Sequence, residues 1–129
     1  MSGHVDRNMQ RVYHILEQAV AMKRRIGGMT ADELFANEDK TDAVLYGLMV
    51  VGEAVRAMDD DFKDAHPDMP WKAIVGMRNF IVHEYEEIDY GLVWKAISID
   101  LPTLTPRLEE IYEAFEFPDD FTPPPLPTA

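Results

Sequence analysis

Apolar side chains at Val5, Met9, Val12, Leu16, Val20 and Ile26, with Ile15 and Ala19 beside them, recur three and four positions apart. That spacing places them on one face of an α-helix, and Gly27-Gly28 supply a stop, so a first helix is predicted over residues 5–26. Thr30 followed by Glu33 is a capping-box pattern that opens a short helix over "ADELFAN". A third helix is expected from Thr41 or Asp42 to about Met58, and the "DDDFKDAHPDMP" after it reads as a polar connection. Pro70 suits the first turn of a fourth helix that runs through Trp71 to His83 or Tyr85. Asp89 can cap a fifth, from Tyr90 to about Phe115, which Pro102 and Pro106 should kink or interrupt. The ending "FPDDFTPPPLPTA" is expected to be an extended or mobile tail. With no β alternation, internal repeat or second domain in the pattern, the expected fold is all-α. It is an antiparallel up-and-down bundle of about five helices over residues 1–116, with a Pro-rich tail over 117–129.

The 129 residues suffice for one hydrophobic core, and 47% hydrophobic with 28% charged residues is the balance of a globular protein. The longest apolar run, Ala43 to Gly52, is about half the roughly 20 residues of a bilayer span. It reads as a core helix face, and no membrane association is expected. No apolar leader opens the chain, and no cysteine offers a disulfide or a thiolate metal ligand. A cytoplasmic location is the simplest expectation.

Charge changes the picture because it is uneven. The net charge is -12, yet residues 1–29 carry Arg7, Arg11, Lys23, Arg24 and Arg25 against Asp6 and Glu17, so the first segment is +3 and the remainder -15. An acidic total argues against nonspecific nucleic-acid binding, which phosphate contacts dominate, but leaves room for a small basic site handling one phosphate.

The candidate chemistry lies in "GMRNFIVHEYEE", residues 76–87. With Arg78 set at zero on a helical wheel, Tyr85 falls near -20°, Asn79 near 100° and His83 near 140°, while Phe80, Ile81 and Met77 occupy roughly 200° to 300°. One side carries the reactive groups and the other the packing. The guanidinium is a planar fork suited to a phosphate, the imidazole titrates near neutral pH, and Asn and Tyr can orient or donate. These parts suffice for metal-independent RNA cleavage by the RNA's own 2'-hydroxyl, which wants one acid and one base. Because this helix holds a single His, two copies meeting across a twofold axis would complete the set, so a homodimer with a composite site is expected. Isolated Arg and His at such spacing are more often a plain exposed face. "HEYEE" lacks the second His of a zinc-protease helix, and His4, His14 and His66 are scattered, so no metal site and no cofactor is expected.

Arg78, four residues, His83, one residue, Tyr85 resembles the R-x4-H-x-Y motif of HepT-like HEPN-domain toxins, and Asn79 matches the polar residue common after the Arg. "VGEAV" at 51–55, "PDMPWKAIVGMRN" at 67–79 and "VWKAISIDLPTL" at 93–104 agree in order, and only the Pro-rich tail lies outside the resemblance. The resemblance implies the RNase toxin of a type VII toxin-antitoxin pair, acting on RNA such as tRNA, and partnered by an MntA-type minimal nucleotidyltransferase. In such pairs the antitoxin transfers AMP to the motif tyrosine, here Tyr85. Arg78 would then hold the phosphate, His83 serve as general acid/base and Asn79 orient the scissile group. Glu53 sits on an otherwise apolar helix and wants a basic partner. Arg78 is the expected one, with a local pair to Arg56 or a solvated side chain as the alternatives, which puts Glu53 behind the catalytic residues. Trp71, Trp94, Met22, Met49, Met58 and Met77 read as core or interface, and Tyr90 as packing rather than a base-stacking platform. Two other classes compete: a noncatalytic binding or regulatory subunit of a nucleotidyltransferase, and an oligomerisation protein whose motif is a buried polar network.

Overall fold

A computed structural model describes the backbone of residues 2–83 and 87–128, and the side chains of residues 7–82 and 87–128. Along it run α1 (Ser2–Ile26), α2 (Ala31–Ala36), α3 (Glu38–Arg56), α4 (Asp60–Asp64), α5 (Trp71–His83), α6 (Tyr90–Lys95), a π-helical turn (Ala96–Asp100) and α7 (Leu101–Ala114). Among the described residues there is no strand, and no helix is long and apolar enough to cross a membrane.

Local chemistry sets most of the boundaries. Gly27 ends α1 at φ 53°, a left-handed conformation that glycine adopts without a Cβ penalty. The Thr30–Glu33 capping box is complete: Glu33 N donates to Thr30 Oγ1 and Thr30 N to Glu33 Oε1. The Thr30 backbone N–H first, and the Thr30 side chain beside it, hold the Glu33 carboxyl below its ordinary range. Asp89 caps α6 by accepting from the backbone of Gly91 and Leu92.

Three expectations are corrected. α3 starts at Glu38, ahead of Thr41, because Asn37 accepts from Lys40 N and caps a first turn that is wholly polar. The connection after Met58 contains α4, whose Phe62 ring lies 4.9 Å from the ring of His66 and 6.2 Å from that of Trp71. The fifth helix is interrupted as expected, but by a widened π turn ahead of Pro102, where Leu101 N reaches Ala96 O. Pro106 stays inside α7. Around these prolines the hydroxyls of Ser98, Thr103 and Thr105 each bond the carbonyl four residues back.

α1 and α3 are antiparallel: Asn8 bonds Asp59 just beyond the end of α3, and Arg25 at the other end of α1 donates to Ala43 O. α3 packs on α5, and α1 packs on α3 and α7. Their shared core is Val12, Ile15 and Leu16 with Val44, Val55, Ile81 and Leu108, all essentially without solvent exposure. Each such side chain contributes about 1.5–3 kcal/mol by leaving water. The Trp71 indole is buried and donates to Lys63 O and His66 O. Met22 and Met58 are buried, whereas Met49, Met77 and Trp94 are partly buried against the core. Among its described residues the tail has no helix or strand, turns once where Phe121 N donates to Pro118 O, and is docked: Tyr13 Oη donates to Pro125 O and Tyr112 Oη to Pro124 O. Phe117 bridges Phe115, Tyr112 and Phe121.

Candidate functional site on the α3–α5 crossing

The rotation of α5 follows from its apolar residues. Ile81 has no solvent exposure and Met77, one turn earlier, packs against the core. With that face turned inward, Arg78 falls at the edge facing α3 and Asn79 on the exposed surface. The side chain of Arg78 therefore lies half-buried at 18% exposure, where a wheel alone suggested the open side.

Gly52 makes room for it. A Cβ built at Gly52 would come within 2.8 Å of Arg78 Cγ and closer still to its Cβ, so only a residue without a side chain lets the two helices approach this closely here. The next residue of α3 is Glu53, whose Oε1 meets Arg78 Nη2 at 2.6 Å. Arg78 Nη1 donates to Asn79 Oδ1 at 2.8 Å. Both expected partners of Glu53 are present, because Arg56 Nη1 also reaches Oε1, at 3.4 Å. Arg78 Nε is buried and finds no acceptor among the described residues.

Two of the guanidinium nitrogens are thus held by a carboxylate and an amide. Solvent-exposed ion pairs contribute only about 0–1 kcal/mol to stability, and Glu53 is 49% exposed. The consequence of the pair is accordingly positional: it fixes a planar cation at the rim of the helix pair. Asn79 engages Arg78 through its carbonyl oxygen, and its amide N–H groups make no hydrogen bond among the described residues. The His83 backbone is the last described part of α5, while its side chain, and all of Tyr85, lie outside the described residues. The structure therefore brings Arg78, Asn79 and Glu53 together and does not address His83 or Tyr85.

The basic first segment divides. Arg11 lines a groove between α1 and α3 that Glu53 also lines. Lys23, roughly 18 Å further along α1 at 1.5 Å per residue, faces Pro102 and Glu109 of α7 instead. Tyr90 packs against Phe35, the ring centroids 4.9 Å apart and the planes tilted, in keeping with a packing role. Among the described residues no group of three His, Asp or Glu side chains could hold a metal ion. Sequence reasoning passed over Gly52 as a site residue; its position immediately before the carboxylate on an apolar helix was the available signal.

Comparison with known proteins gives a consistent picture. The family model "Ribonuclease HepT-like" matches residues 15–111. A protein of Methanocaldococcus jannaschii named "Putative RNase" is 36% identical over 98 residues, 76% of this chain and 90% of its own length. One of the same name from Caldanaerobacter subterraneus is 31% identical over 100 residues, covering 78% of this chain and 89% of the relative. A "Probable ribonuclease HepT" of Thermococcus cleftensis is 35% identical over 80 residues, 61% and 73% of the two chains. No solved structure gives a significant match.

Proposed function

Because the chain belongs to the HepT-like ribonuclease family, we propose that it is the metal-independent RNase toxin of a type VII toxin-antitoxin pair, with α5 supplying the reacting groups. The observation that carries this reading is the half-buried Arg78, pinned by Glu53 and Asn79 at the motif position.

The chemistry follows from the residues. Arg78 binds a non-bridging oxygen of the scissile phosphate and offsets the charge that builds on it. The imidazole of His83 takes the proton of the 2'-hydroxyl, whose oxygen attacks phosphorus as the P–O5' bond breaks. A protonated imidazole from a second copy gives its proton to the departing 5'-oxygen, leaving a 2',3'-cyclic phosphate and a 5'-hydroxyl. The composite site requires a homodimer, and Asn79 orients the phosphate through its amide N–H groups.

In the same reading, an MntA-type nucleotidyltransferase attaches AMP to Tyr85. Negative charge and bulk arrive two residues after His83 and compete with RNA for Arg78. The location is the cytoplasm, where RNA and ATP are both at hand. Co-incubation with such an enzyme and ATP should add one AMP, mapped by mass spectrometry to Tyr85, and suppress RNA cleavage. Tyr85→Phe should escape both. Suppression without modification, or modification that leaves cleavage intact, contradicts the regulatory half of the proposal.

A further inference from the structure

The groove between α1 and α3 is the feature that the family motif leaves unused. It is lined by Arg11 and His14 from α1, three residues apart and so on one face, and by Tyr46, Met49, Val50 and Glu53 from α3. Tyr46 is an aromatic side chain left 63% exposed, and Arg11 is half-buried with Nη1 anchored on Arg7 O. Glu53 belongs both to this groove and to the ion pair with Arg78, so the groove runs directly up to the motif arginine.

We propose that this groove binds the single-stranded RNA flanking the scissile phosphate, with Arg11 on a backbone phosphate and Tyr46 stacking a base. The proposal rests on the RNase reading and names where that substrate lies. Charge selects the occupant. In a chain of net charge -12, the carboxylate of Glu53 is already met by Arg78 and Arg56, and Arg11 adds a third cation. The ground around Glu53 is thus locally positive. Glu17 lies a turn beyond His14, Asp42 is exposed one turn before Tyr46 on α3, and Asp59 at the far end is engaged by Asn8, so the positive ground is confined to the Arg11–Glu53 end of the groove. From Tyr46 to Glu53 is two turns of α3, roughly 10 Å, long enough for a short single-stranded segment. An aromatic face beside a cationic track is the arrangement that holds single strands without reading their sequence.

The test uses a cleavage-inert, 2'-O-methylated single-stranded 12-mer and full-length protein, with fluorescence anisotropy as readout and sedimentation to match oligomeric state. Tyr46→Ala and Arg11→Ala should each weaken binding about tenfold, and Arg11→Ala should also lower the salt dependence by about one phosphate contact. Photo-cross-linking with 4-thiouridine in the oligonucleotide should mark α3 near Tyr46. Unchanged affinity in both variants while the wild type still cleaves RNA overturns the groove and leaves the nuclease reading standing. Loss of the dimer on Tyr46→Ala overturns it in favour of a surface between two copies. A wild type that neither binds the 12-mer nor cleaves RNA removes both readings together.

Discussion

Gly52 of α3 and Arg78 of α5 meet where their helices cross, so closely that a methyl group on Gly52 has nowhere to go but into the arginine stem. That approach sets Glu53 against the guanidinium. Packing and candidate chemistry are therefore fixed at one point.

Gly52→Ala should move both. Alanine favours a helix over glycine by about 1 kcal/mol, but here its Cβ forces the helices apart, an overpacking cost of about 1–3 kcal/mol. A net loss of up to about 2 kcal/mol is expected in urea denaturation, with RNA cleavage falling by more than the stability change explains. Gly76→Ala, on the same helix as Arg78 but with open space at its Cβ, should be neutral or slightly stabilising.

Glu53 should act as a positioning residue. In Glu53→Ala the guanidinium loses its anchor, so kcat for RNA cleavage should fall about tenfold. KM should hold or drop, since a negative charge beside the substrate phosphate is gone. Glu53→Gln keeps a hydrogen-bond acceptor for Arg78 Nη2 and should recover part of kcat. Steady-state kinetics separates the two constants; a rise in KM alone would place Glu53 in substrate binding.

The docked tail should contribute measurable stability. Tyr112 is buried and its phenol is pushed up by that burial and by neighbouring Tyr13, which keeps it a donor to Pro124 O. Tyr112→Phe removes one hydrogen bond and leaves that carbonyl to water, so about 1 kcal/mol is expected. Ending the chain at Glu116 also removes Phe117 and Phe121, so it should cost more while far-UV circular dichroism keeps its helical form.

Acid should release one link between the α4–α5 connection and α7. Arg107 Nε donates to Asp68 at 2.7 Å and holds that carboxyl below the ordinary aspartate range. A carboxyl depressed in the folded state binds fewer protons than the unfolded chain. Its contribution is complete above the ordinary value of about 3.9 and disappears as pH falls through the lower folded value. The Tm gap between wild type and Asp68→Asn should therefore be constant near neutrality and close below about pH 4.

Much of this was legible in the chain. Gly27, the Thr30–Glu33 box and Asp89 are local signals whose partners lie within four residues, and each holds in the structure. The Arg78–Glu53 pair was also reachable, because an acid on an apolar helix demands a partner. What escaped depends on chemistry without periodicity: the first turn of α3 is polar and offers no hydrophobic spacing, and α4 buries none of its own residues. The docking of the tail was hidden because Pro-rich composition reads as extended chain wherever it lies, and only Tyr13 and Tyr112 tie it down. The half-burial of Arg78 is set by Gly52, a partner distant in sequence.

The most direct test of the central claim is RNA cleavage in EDTA, on total RNA and purified tRNA, comparing wild type with His83→Ala at matched oligomeric state. The account predicts cleavage by the wild type alone, with 2',3'-cyclic phosphate ends. A well-folded wild-type dimer that leaves RNA intact, or a His83→Ala variant that cleaves as fast, would contradict it.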